Sequence, residues 1–195
     1  MNLRFALLAM LSAGPKTGYE LTGSFDRTVA YVWHAPHSQI YPELRRMEDA
    51  GLVAADEVPR GPRGTKRVYQ VTYAGLAELR RQASEVVPLE RERDPVRLKA
   101  AYMEWSTPQA ALAQLESHIA HYEEWLGVWR AMIAALERRD EPMLNTRLNA
   151  RPEAEHDAIV AAKVFAYEGL VARARMEIAW ARRGIGLARA GAFTG

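Results

Sequence analysis

The fold is decided by the stretch from His37 to Val71, HSQIYPELRRMEDAGLVAADEVPRGPRGTKRVYQV. Ile40, Leu44 and Met47 recur at four and then three residues, which marks one face of a single helix. Gly51 stands where a helix of that length takes its C-cap. Leu52 to Val58 and Lys66 to Val71 read as two short β-runs, joined by a tip whose Pro59, Gly61, Pro62 and Gly64 are turn residues. Four basic side chains, Arg60, Arg63, Lys66 and Arg67, crowd that tip. A helix with one buried face, followed by a basic two-stranded wing, outlines a winged helix and implies a reader of double-stranded DNA.

Upstream of that stretch, Leu3, Phe5, Leu7, Leu8 and Leu11 are dense enough for a short helix buried on most sides, and Gly14-Pro15 ends it. Thr17 and Glu20 have capping-box spacing. Tyr19, Leu21, Phe25 and Val29 supply the apolar content of a second helix, while Tyr31 to Pro36 shows no clear period. Pro36 opposes helix continuation and Ser38 is a capping candidate for the next one. In that helix His37, Ser38, Gln39, Tyr41, Arg45 and Arg46 are left for the outside, and Pro42 fits in or just past the first turn. Its amino-terminal end is the part suited to a groove: Gln39 suits adenine, and Arg45 suits guanine or a phosphate.

Downstream, Thr72 can cap a fourth helix containing Leu76 and Leu79 that fades near Val87-Pro88. Glu85 to Asp94, with alternating charge and Pro88, reads as a hinge, and Pro95 opens a short helix through Trp105. The strongest periodicity follows. Leu112, Leu115, Ile119, Tyr122, Leu126, Trp129, Ile133 and Leu136 alternate spacings of three and four, and so do Val160, Val164, Tyr167, Val171, Ala174, Ile178, Ala181 and Ile185. Arg139 to Pro152, with two prolines and two asparagines, reads as the turn between two long antiparallel helices. Trp125, Met132, Phe165, Leu170, Met176 and Trp180 lie off these seams, so a second copy is expected to cover them. The residues expected at that dimer contact are Tyr122, Trp125, Trp129, Met132, Tyr167, Val171, Ile178 and Trp180.

The expected architecture is therefore mainly α with a small two-stranded wing. A winged helix-turn-helix domain occupies residues 1–86, a linker 87–94, and a helical dimerisation and effector domain 95–195. The bulk numbers agree. Hydrophobic residues are 49% and charged residues 26% of 195, a globular balance. The net charge is only +2, but residues 1–84 carry 11 Lys+Arg against 8 Asp+Glu while the remainder is slightly acidic. Without cysteine there is no disulfide, thiolate nucleophile or Cys-based zinc site. The apolar run Phe5 to Leu11 is too short for a membrane span, and a cytoplasmic location is expected.

Other residue groups carry little chemistry. His118 and His121, three apart on a helix, lack a third ligand at a fixed spacing and read as helix-surface residues rather than a metal site. Gly14, Gly18 and Gly23 do not make a phosphate loop, and nothing groups Ser, His and Asp as a triad. No enzyme, cofactor or metal is expected. Tyr19, Trp33, Tyr102, Trp105 and Tyr122 are candidates for lining a pocket that takes a small aromatic effector. The competing reading is a helical protein-interaction adaptor whose winged helix binds a protein partner.

The motifs Gly18-Tyr19-Glu20-Leu21, Gln39-Ile40-Tyr41-Pro42-Glu43-Leu44, Glu48-Asp49-Ala50-Gly51-Leu52-Val53 and Arg67-Val68-Tyr69-Gln70-Val71-Thr72 resemble the PadR family of bacterial transcriptional regulators in order and spacing. Thr107-Pro108-Gln109-Ala110-Ala111 and Glu177-Ile178-Ala179-Trp180 resemble the C-terminal domain of its longer members, shared with virulence-activator regulators. The resemblance implies a homodimeric winged-helix repressor on a short inverted repeat, with the helix from Ser38 in the major groove. It also implies contacts from Gln39 and Tyr41, with Arg63 and Lys66 along the phosphates. Some members respond to phenolic acids held between the two domains, others to hydrophobic drugs, and others have no known ligand. The glycine-rich wing Gly61-Pro62-Arg63-Gly64-Thr65 departs from the family pattern.

Overall fold

The computed structural model describes residues 3–25, 36–59, 64–88 and 93–193. Trp33, Arg60 and Arg63 lie outside the described residues, as does the side chain of His37. The chain divides into two compact units: Met1–Leu89 with Asn145–Glu153, and Glu90–Leu144 with Ala154–Gly195.

In the first unit α1 (Leu3–Leu11) buries Leu7, Leu8, Met10 and Leu11. Strand β1 (Lys16–Thr17) leads directly into α2 (Gly18–Ser24). The expected capping box forms there: the Glu20 amide donates to Thr17 Oγ1 at 3.1 Å, and the Thr17 amide donates to Glu20 Oε2 at 2.7 Å. The Thr17 amide, contributing most, and the Thr17 hydroxyl, which donates to Glu20 Oε2 at 2.8 Å, hold the Glu20 carboxyl below its ordinary range.

Helix α3 (His37–Asp49) starts after Pro36, whose side chain can offer no cap, so Ser38 lies inside the first turn rather than at the cap. Pro42 sits within the helix. The helix ends in a Schellman arrangement: Leu52 N–H donates to Met47 O at 2.8 Å, Gly51 N–H donates to Glu48 O at 2.8 Å, and Gly51 takes a φ of 68°. Strands β2 (Val53–Pro59) and β3 (Thr65–Val71) pair antiparallel from Val53 opposite Val71 to Pro59 opposite Thr65. The sheet has a third strand that the sequence pattern did not show: β1 pairs with β3, Lys16 opposite Tyr69 and Thr17 opposite Val68.

Helix α4 (Tyr73–Ser84) is capped by Thr72, whose Oγ1 accepts from the Gly75 amide at 3.0 Å and donates to Gly51 O at 2.7 Å. Gly75 permits the close approach. A Cβ there would stand 2.1 Å from the Leu52 carbonyl oxygen. Residues Asn145–Glu153 complete this unit, and Arg147 Nη1 donates to Ala9 O at 3.2 Å and to Ser12 Oγ at 3.3 Å. Burial, chiefly, lowers the Arg147 pKa from its ordinary value.

The second unit starts with α5 (Pro95–Ala100) and a 3-10 turn at Met103–Trp105, then α6 (Pro108–Glu137). The stretch read as a turn contains another helix, α7 (Pro142–Asn149). Pro142 occupies its first position, and the Glu141 carboxylate accepts from the Met143 and Leu144 amides at 2.9 and 2.5 Å. Helix α8 (His156–Arg189) runs back along α6: His118 meets Glu177, Gly184 faces Leu115, and Arg139 meets Asp157, so the pair is antiparallel. Among the described residues no helix is long and apolar enough to cross a membrane.

Candidate nucleic-acid interface

Ile40, Leu44 and Met47 are fully buried, each at 0% exposure, and they fix the rotation of α3 about its axis. At 3.6 residues per turn the opposite side then carries Ser38, Tyr41 and Arg45 in one outward line, all exposed. Gln39 and Arg46 flank that line on one side. They line a cleft of about 560 Å³ with Leu3, Arg4, Ser38, Pro42 and Glu43. Glu43 neutralises part of the cleft, accepting from Arg4 at 2.9 Å and from Arg46 at 3.2 Å. Arg4 is a basic residue beside the reading helix that sequence reasoning passed over, because its neighbours in the chain are all apolar.

Tyr41 is 48% exposed and its ring lies against α2; a Cβ at Gly18 would stand 2.5 Å from Tyr41 Cε1. Gly18 therefore lets the two helices of the helix-turn-helix close together. On the other flank Glu48 faces the wing. Arg67 Nη2 donates to its two oxygens at 2.6 and 2.8 Å, and the Arg67 guanidinium stands 5.6 Å from the Tyr69 ring. Arg67, one of the four basic residues read at the wing and a candidate DNA contact, is met in this structure by a carboxylate. Lys66 and Arg45 are exposed and have no ion pair among the described residues.

The residues assigned to an effector pocket belong to both units. Tyr19 is 83% exposed on α2 in the first unit. Tyr102 and Trp105 line a cleft of about 330 Å³ in the second unit, with Lys99, Met103, Ser106, Ala110, Ala111 and Gln114. Tyr122 instead packs between the rings of His118 and His121, at 4.8 and 5.2 Å. His118 is accordingly not the surface residue its spacing suggested: its side chain is 8% exposed and bonded to Glu177.

The residues assigned to the dimer contact divide as well. Trp129, Tyr167, Val171 and Ile178 are 6–7% exposed and so are covered within a single chain. Tyr122, Trp125, Met132 and Trp180 are half-buried, and Trp125 stacks on Trp129 at 5.8 Å. Phe165 and Met176 remain 76% and 51% exposed.

A reading helix, a wing beside it and a long helical hairpin define a winged-helix transcriptional regulator. The model of the transcriptional regulator PadR-like family matches residues 7–81. The negative transcriptional regulator PadR of Bacillus subtilis is 30% identical over 140 residues, covering 69% of this chain and 77% of its own. The chain belongs to the PadR-like family of transcriptional regulators. Its fold matches that of the Vibrio cholerae virulence activator AphA with a TM-score of 0.69 at 21% identity, over 97% of this chain and 99% of the other. It matches Bacillus subtilis PadR in complex with operator DNA with a TM-score of 0.67 at 23% identity, over 92% and 97%. Bacillus subtilis PadR in complex with p-coumaric acid matches with a TM-score of 0.61 at 24% identity, over 92% and 95%. The family's work is regulatory rather than catalytic, in line with the sequence reading.

Proposed function

We propose that the protein is a cytoplasmic, homodimeric repressor that binds a short inverted repeat in double-stranded DNA and is released by a small aromatic or phenolic effector. The observation that carries this reading is the outward line of Ser38, Tyr41 and Arg45 on a helix anchored by three fully buried side chains. In this reading residues 1–86 read DNA, 87–94 link, and 95–195 dimerise, apart from Asn145–Glu153, which complete the DNA-reading unit. The amino-terminal end of α3 enters the major groove, where Gln39 pairs with adenine and Arg45 with guanine or a phosphate. Arg60, Arg63 and Lys66 follow the backbone, which positions the protein without reading sequence.

A second copy covers the apolar surface that the hairpin leaves open, Phe165 and Met176 with the half-buried Trp125 and Met132, while Trp180, also expected there, packs against His118 and Arg97 within the chain. Two-fold symmetry then sets two reading helices on two half-sites. The name of the Bacillus subtilis relative supports negative regulation, and its complex with p-coumaric acid supports a phenolic effector. In this chain the Tyr102–Trp105 cleft offers rings to such a ligand and Lys99 a cation to its carboxylate.

The test is a fluorescence-anisotropy titration against DNA from immediately upstream of the protein's own coding region, with scrambled duplex as competitor. Tight binding that scrambled DNA cannot displace is expected, weakening by about 0.9 log units per log unit of salt for each phosphate neutralised. Sites selected from random DNA extend the search if that region is not the operator. Failure of both points to the protein-interaction adaptor. Release of the bound duplex by millimolar p-coumarate tests the effector separately.

A further inference from the structure

Glu177 is 2% exposed on α8, in the seam with Ala174, Ile178 and Ala181. A carboxylate there is costly unless a cation meets it. His118 Nε2, from α6, lies 3.0 Å from Glu177 Oε2. Arg97 Nη2 donates to both carboxylate oxygens, at 3.1 and 3.0 Å. The same guanidinium lies 5.0 Å from the ring centroid of Trp180, and Trp180 in turn meets the His118 ring edge-on at 5.4 Å.

The two sides of this contact are unequal. Glu177, His118 and Trp180 all belong to the long α6–α8 hairpin, whose seam is well covered. Arg97 belongs to α5, a helix of 6 residues with no buried residue. The Arg97 side chain is 40% exposed while its Glu177 partner is 2% exposed. Apart from the hairpin, its charged anchor is Asp94 at the cap of its own helix, where Nη1 donates to Oδ2 at 2.6 Å. The hairpin thus supplies a rigid host, and a marginal helix supplies the guest.

We propose that Glu177, His118 and Trp180 form a binding site for a planar organic cation of the guanidinium or amidinium class, which Arg97 fills as the chain's own stand-in. The chemistry matches that class. A desolvated carboxylate whose two oxygens both accept from a guanidinium suits planar N–H donors, and an indole face favours a flat, weakly hydrated cation over a compact ammonium. An external cation competes with Arg97, and its binding frees α5, the first helix after the linker region. This site does not depend on the DNA-binding reading.

The test uses the full chain and isothermal titration with methylguanidinium, benzamidinium and the neutral benzamide. With Arg97→Ala the guest is gone, and methylguanidinium is expected to bind roughly tenfold or more tightly than to wild type, a gain consistent with one desolvated ion pair and one cation–π face. Benzamide binds neither chain. Trp180→Leu in the Arg97→Ala background abolishes the gain. Equal, weak binding to the wild-type and Arg97→Ala chains overturns the proposal, as does equal binding of benzamide and benzamidinium. If the Arg97→Ala chain does not fold alone, refolding by millimolar methylguanidinium supports the site and its failure overturns it.

Discussion

Replacing Glu48 by Gln separates two roles that the structure assigns to one ion pair. Glu48 holds Arg67 with two bonds from Nη2, at 2.6 and 2.8 Å, and so ties the wing to the reading helix. The side chains are 41% and 29% exposed, so solvent screens much of the attraction and the pair contributes under about 1 kcal/mol. Gln keeps an oxygen for Arg67 and removes the charge, so the melting temperature falls by at most about 4 °C. Against that small loss, Arg67 becomes free for a phosphate and a carboxylate leaves the flank of the reading helix. One added phosphate contact steepens the slope of log K against log salt by about 0.9, which near about 0.1 M salt is worth roughly 1 kcal/mol. The second effect wins. Glu48→Gln should bind operator several-fold more tightly at low salt, with the gain fading as salt rises, in anisotropy titrations over a salt series. Weaker binding with an unchanged slope would refute this, and would make the pair a strut that positions the wing.

Three further outcomes follow from the same geometry. Gly75→Ala places a methyl against the Leu52 carbonyl and the Val71 side chain, and should destabilise the chain by roughly 1–3 kcal/mol in denaturant melts; an unchanged midpoint would contradict the close approach of α4. Glu20 has its carboxyl held below the ordinary range in the folded state, so its contribution is full above that range and is lost as pH falls through it and below. Wild-type melting temperature should therefore decline more steeply over that acid window than that of Glu20→Gln, and parallel curves would dismiss the capping box as a source of stability. Gln39→Ala should cost about 1–3 kcal/mol on the best operator and flatten base preference at one position in a panel of point-mutated sites, whereas a uniform loss across the panel would assign Gln39 to the backbone.

What the sequence disclosed depended on whether a residue's role is set by local spacing or by a distant partner. The reading helix was legible because Ile40, Leu44 and Met47 repeat at its period, and all three are fully buried. The C-cap at Gly51 and the Thr17–Glu20 box were legible because caps are local hydrogen-bond patterns. Strand β1 was not, since two residues, Lys16 and Thr17, carry no period and become a strand only by pairing with β3. Helix α7 was hidden by prolines and asparagines that read as a turn, although Pro142 sits where a helix tolerates it and Glu141 caps the amides after it. The heptads correctly located two long helices but could not say what each seam meets. Trp129, Tyr167, Val171 and Ile178 turned out to be buried within the single chain. Arg67 looked like a free cation because Glu48 lies 19 residues away, and His118 looked exposed because Glu177 lies 59 away.

Arg147 reaches the carboxyl end of α1 from far along the chain, bonding Ala9 O and Ser12 Oγ across 138 and 135 residues. The DNA-reading unit is therefore discontinuous in sequence, and its order of manufacture differs from its order in space. During synthesis α1 emerges first and waits for Arg147 until the long helix α6 has been made. A chain cut after α4 would carry every residue of the reading helix and wing, yet would leave the ribosome with that end of α1 lacking its guanidinium. The last part of the reading unit to be built follows α6 in the chain, so the protein cannot finish its DNA-reading half before most of its other half exists.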